Sequence, residues 1–133
     1  MPNLALEWLR SRPRRTLFAI GVAAVLLYEA ARLWYRPYVY AHGLSDFGVA
    51  DTLGNSLGTI ATVLVFASVL GRTFEQALFV LRAAAIAVIV YELAHPLLGK
   101  PVDPLDVVAT VLAGVASELI LRLVYRQRQT RDA

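Results

Sequence analysis

With 133 residues the chain has room for one domain. A mean hydropathy of +0.58 and 58% hydrophobic residues exclude an ordinary soluble domain of this size, and they point to lipid as the solvent of its apolar surface. The net charge of +3 comes from twelve arginines and one lysine against ten acids, and the absence of cysteine excludes disulfides, thiolate metal sites and cysteine nucleophiles.

Residues 1–14 read as a cytoplasmic or interfacial segment. Over 1–12 an amphipathic helix is open, with Leu4, Leu6, Trp8 and Leu9 apolar against Glu7 and Arg10, and Pro13 breaks it before the first span. A basic start followed by an apolar run resembles a signal peptide. Three more apolar segments follow it instead of a cleavage site and a soluble domain, so it is expected to stay as an uncleaved span.

The four-span membrane domain covers 15–125, with spans at about 15–36, 49–71, 76–98 and 104–125. The uncharged core of span one, Thr16 to Tyr28, has 13 residues, short of the ~20 that cross the hydrocarbon. Glu29 and Arg32 must therefore enter the outer part of the membrane, where their i, i+3 spacing lets them pair. Trp34, Tyr35, Tyr38 and Tyr40 make an aromatic belt, and 37–48 form a loop holding Pro37, His42, Gly43 and Asp46.

Span two is the cleanest, with 20 uncharged residues between Asp51 and Arg72. Its opening puts Asp51 and Asn55 on one face, and Gly54 and Gly58 form a GxxxG step suited to close helix approach. Span three brings in Arg82, which can snorkel or pair with Glu118 of span four, and leaves through Tyr91, Glu92 and His95. Span four opens at Asp106 and carries a small-residue stripe of Ala109, Ala113 and Ser117, before a basic tail at 126–133.

Arginine placement sets the orientation. Arg10, Arg12, Arg14, Arg15, Arg72, Arg122, Arg126, Arg128 and Arg131 fall on the side of the termini, against Arg32, Arg36 and Lys100 on the other. The positive-inside rule then places both termini in the cytoplasm. A nucleic-acid surface would need the terminal clusters on one folded face, and no such partner is expected.

The halves look alike. Tyr28-Glu29 matches Tyr91-Glu92, Arg32 matches His95, Asp51 matches Asp106 and Asn55 matches Thr110. The fold class expected is all-α: an integral membrane four-helix bundle of two similar helical hairpins, related as parallel repeats, N-in and C-in.

The polar cluster drawn from these positions is Glu29, Arg32, Asp51, Asn55, Glu92, His95, Asp106 and Thr110. Charged groups within spans are costly and point to function. Close to an interface, helix capping and inter-helix bonding explain them equally well; Asp103 in particular is placed to cap span four. No HExxH-type ligand spacing, phosphate loop or nucleophile elbow occurs, so no metal, cofactor or catalytic residue is assigned.

Glu92-x-x-His95, the Lys100-Pro101 turn and the run from Asp103 to Thr110 resemble the closing hairpin of VanZ-like membrane proteins. That pattern runs Glu-x-x-Gln, an Arg-containing turn, then Asp-x-x-Ala-Asn-x-x-Gly. Here His95 replaces the Gln, Lys100 stands near the Arg, Thr110 replaces the Asn, and Gly114 falls one residue late. The first half follows the second part of the pattern more closely, at Asp51, Gly54, Asn55 and Gly58.

The family is associated with glycopeptide (teicoplanin-type) resistance, and the resemblance implies a membrane location more than a reaction. The function expected is a VanZ-like protein of the bacterial inner membrane, more a binder than an enzyme, whose outer-leaflet polar cluster binds or senses an envelope-associated ligand. The alternative is a small permeation or transporter subunit acting as an oligomer. An intramembrane enzyme using Glu92 and His95 as acid and base is the third reading. The partners expected are the lipid bilayer and an unidentified ligand, with a second copy of the chain left open.

Overall fold

The computed structural model describes residue 8 and residues 10–129, without the side chains of 128 and 129. All described regular structure is helical. Helix α1 runs over Arg12–Ala41, α2 over Val49–Leu70, α3 over Phe74–Leu93 and α4 over Pro104–Gln129. Each is long and apolar enough to cross a membrane, which makes the chain a multi-pass membrane protein. The amphipathic helix expected over 1–12 falls mostly outside the described residues.

Local chemistry sets the helix ends. Pro13 sits in the first turn of α1, which starts directly after the non-helical Ser11, because a first-turn proline gives up an N–H that has no intrahelical partner. Asp46 accepts from the amides of Gly48 and Ala50 at 3.1 and 2.7 Å and so caps α2, while Gly48 supplies the left-handed φ of 82° before it. Thr73 accepts from the Gln76 amide at 3.2 Å at the start of α3, and Asp103 accepts from the Leu105 amide at 2.9 Å at the start of α4, the capping role its position suggested.

Two helix ends differ from the sequence reading. Helix α1 passes through Pro37 to Ala41 instead of ending near Arg36, by way of a π-helical turn at Ala31–Tyr35. Proline has no N–H to offer and its ring would crowd the carbonyl four residues back. One wide turn, closed by Arg36 N–H on the Ala31 carbonyl, absorbs the mismatch. Conversely α3 stops at Leu93, and His95–Leu98 forms a 3-10 turn before Gly99 (φ 74°), since Pro96 disfavours the α conformation of the residue before it.

Helix α2 is central and packs on all three others. Its core lies toward the end bearing the termini: Leu17, Val63, Leu64, Ala67, Ala77, Leu78, Leu81 and Leu121. Outward-facing Leu26, Phe79, Ile86 and Leu112 are each 60% or more exposed, as a lipid-solvated surface requires.

The close approach of α1 to α2 is made at Gly21, where a Cβ would lie 2.7 Å from Val65 Cγ2 and 3.3 Å from the Ala61 carbonyl. The Gly54–Gly58 step does not serve this purpose. Gly58 has no atom within 4 Å of a would-be Cβ, and Gly54 only makes room for the Tyr28 ring at 3.4 Å. The stripe of Ala109, Ala113 and Ser117 is buried inside the bundle.

Candidate functional site

Antiparallel pairing of α1 and α2 brings Arg36 to Asp51 at the end of the bundle away from the termini. Tyr28, Arg32, Arg36 and Tyr40 recur every four residues along α1. The first three line a cavity of about 300 Å³ that they share with Asp51, Gly54 and Asn55 of α2 and Asp106 of α4. Arg36 Nη2 lies 3.2 Å from Asp51 Oδ1, its Nε donates to the Tyr40 hydroxyl at 3.2 Å, and the Tyr40 hydroxyl donates to the same Asp51 oxygen. Arg32 donates to Glu29 Oε2 through Nε at 3.0 Å and Nη2 at 2.7 Å, the pairing that their spacing predicted.

Asn55 and Asp106 line the same cavity, yet among the described residues neither side chain has a hydrogen-bond or ion-pair partner. Asp106 lies in the first turn of α4, where the positive end of the helix dipole favours its charge. The cavity therefore presents an engaged Arg36–Asp51 pair, with the uncommitted amide of Asn55 one turn from Asp51 on α2 and the uncommitted carboxylate of Asp106 on α4.

Four of the eight predicted residues, Arg32, Asp51, Asn55 and Asp106, meet there. Glu29 adjoins the cavity through Arg32 without lining it. Glu92 and His95 form a second polar group, and Thr110 lies in neither. Glu92 is 5% exposed, its Oε2 has no hydrogen-bond partner, and His95 Nδ1 stands 3.5 Å from that oxygen, an ion pair only when the ring is protonated. The His95 ring meets Tyr91 edge-to-face at 5.2 Å.

Thr110 and Thr59 are also buried with unpartnered hydroxyls. The contacts of Arg82 with Glu118, and of Ala85 with Gly114, set the α3–α4 register. Counted outward at ~1.5 Å per residue, Glu92 lies about 10 Å beyond Ala85 and Thr110 about 6 Å beyond Gly114. Glu92 is thus roughly a turn nearer the end of the bundle away from the termini than Thr110. The matched Tyr-Glu steps have unlike surroundings, since the Glu29 side chain is 42% exposed and that of Glu92 7%.

Sequence reasoning left Tyr28, Arg36 and Tyr40 out of the cluster. Their spacing of four with Arg32 was the available signal; Pro37 within the series obscured it by suggesting that the helix had ended. His42 packs on Tyr38 and its Nδ1 lies 2.9 Å from the Tyr38 carbonyl. Among the described residues no three His, Cys, Asp or Glu side chains gather as metal ligands.

The Asp46 carboxyl lies in the α1–α2 loop. Partial burial would push it up, but bonds from the Ala50 amide, the Tyr35 hydroxyl and the Gly48 amide prevail and hold it below the usual aspartate value. Compared with known proteins, the chain matches no family model, no curated protein and no solved structure.

Proposed function

We propose that this chain is a VanZ-like protein of a bacterial cytoplasmic membrane, with both termini inside, whose polar cavity at the outer end binds an envelope-associated ligand. One observation carries the reading: Arg32, Arg36, Asp51, Asn55 and Asp106, from three helices, border a single cavity of about 300 Å³ at the end opposite the arginine-rich termini. The concentration of arginines on the side of the termini supports the orientation.

The uncommitted Asp106 and Asn55 suit an ammonium or hydroxyl donor, and the remaining donors of Arg36 and Arg32 suit a phosphate or carboxylate. A head group bearing both charges fits this layout. In this reading the two hairpins are repeats, with Arg32 matching His95 and Asn55 matching Thr110. A permeation path would need polar groups to continue inward, whereas Val63, Leu64 and Ala67 of α2 lie in an apolar core.

Phosphoethanolamine is a suitable soluble probe. Calorimetry on the reconstituted chain should show binding that weakens about tenfold or more in Asp106→Asn and in Arg36→Gln. Native affinity retained in both variants, or no binding to the native chain, would discard the cavity as the site. Orientation is read separately: Ser45→Cys, the single cysteine of an otherwise cysteine-free chain, should react with an impermeant maleimide from outside intact cells.

A further inference from the structure

A second site lies near the opposite end of the bundle. Arg82 of α3 donates through Nε and Nη2 to the two oxygens of Glu118 on α4, both at 2.8 Å. Arg122, one turn further along α4, donates to Glu118 Oε1 through Nε at 3.0 Å and Nη2 at 2.7 Å. One carboxylate thus orients two guanidinium groups. Each arginine uses two of its three nitrogens in this pairing, and the side chains are 55% and 48% exposed.

Positive charge is in excess around them. Arg10, Arg12, Arg14, Arg15, Arg72 and Arg126 lie toward the same end, and Glu75, two turns before Arg82, is the other acid among the described side chains there.

From Arg82 and Glu118 a groove of about 230 Å³ runs outward between α3 and α4, walled by Ile86, Ile89 and Val115 and floored by Ala85 and Gly114. The floor is open because Gly114 has no side chain; a methyl there would stand 3.4 Å from Ala85 Cβ. Seven residues separate Arg82 from Ile89, roughly 10 Å along the helix. That length and volume suit part of an acyl chain. A partner helix, about 10 Å across, is too wide for it.

We propose that this groove and its arginine pair bind one anionic phospholipid, with the phosphate on Arg82 and Arg122 and an acyl chain along Ala85 and Gly114. Charge complementarity selects the occupant. An anionic head group offsets the local positive excess, whereas the ammonium of a zwitterionic lipid would add to it. The site is independent of the cavity at the other end and of the ligand proposed for it.

The test is native mass spectrometry of the full chain in a neutral detergent, with phosphatidylglycerol and phosphatidylcholine supplied together. One phosphatidylglycerol should be retained about tenfold over phosphatidylcholine. Arg82→Gln and Arg122→Gln should each remove that preference, and Gly114→Leu, which keeps both arginines, should reduce retention by filling the groove. Arg15→Gln should leave it unchanged, and inorganic phosphate should not displace the lipid.

Equal retention of the two lipids, unchanged preference in both arginine variants, or displacement by phosphate would overturn the proposal. Should Arg82→Gln fail to recover native helicity, Arg122→Gln decides the outcome, because it leaves the Arg82–Glu118 pair between the helices intact.

Discussion

Arg14 and Ser68, 54 residues apart, are joined by a 2.7 Å hydrogen bond from the guanidinium Nε to the backbone carbonyl, and Nη2 of Arg14 reaches the Val69 carbonyl at 2.7 Å. Trp8 Nε1 adds a 3.2 Å bond to the same Ser68 oxygen. These carbonyls belong to the last turn of α2, which has no intrahelical donors for them and carries the negative end of the dipole. An arginine of the N-terminal basic cluster is therefore a buried helix cap.

Replacing it should be costly. Arg14→Gln leaves two carbonyls without their charged donor and should destabilise the fold by about 2 kcal/mol. Arg15→Gln, at an exposed neighbour with the same formal charge, should change little. Unfolding in mixed micelles followed by circular dichroism measures both. Equal midpoints for the two variants would show that Arg14 contributes charge alone.

The turn from α2 to α3 depends on Gly71. A Cβ there would lie 2.6 Å from Ala77 Cβ and 2.7 Å from the Ala67 carbonyl, both on rigid helix. Gly71→Ala should cost about 2–3 kcal/mol as overpacking. Gly58→Ala, with open space around the new methyl, should be neutral or stabilise by up to about 1 kcal/mol through helix propensity. The same unfolding assay orders the pair, and a Gly58→Ala variant as damaged as Gly71→Ala would contradict the packing described.

Acid should loosen the α1–α2 loop. Asp46 has a folded-state pKa below its unfolded value of about 3.8, so its contribution is complete above that value and disappears as pH falls through the lower, folded one. Amide exchange at Gly48 and Ala50, corrected for intrinsic rates, should keep its protection from neutral pH down to about pH 4 and lose it below. Asp46→Asn should show the loosened exchange already at neutral pH, with the native chain converging on it in acid. Parallel profiles for the two proteins would remove Asp46 as the cause.

Much of the candidate site was visible as residue types and spacings, yet its grouping was not. Asp51 and Asn55, one helical turn apart, and the Glu29–Arg32 and Arg82–Glu118 pairs are local or depth-matched relationships, and all are present. The separation of Glu92, His95 and Thr110 from the cavity depends on helix rotation about its own axis, which a one-dimensional pattern of this kind leaves open. Gly54 and Gly58 teach the same point: a motif permits close approach, and Gly21 is where approach occurs.

By itself the sequence determined that this is an all-helical chain with four membrane-length segments, because the polar backbone of an apolar run in lipid must satisfy its hydrogen bonds internally, as a helix does. Proline and aspartate positions determined most helix ends by removing donors or supplying caps. Only the tertiary structure decided that α1 continues through Pro37 by a π turn, that Arg36 meets Asp51, and which polar residues share a cavity. Those outcomes turn on a single inserted residue in one helical turn and on the packing angle between helices. Hydropathy is blind to both.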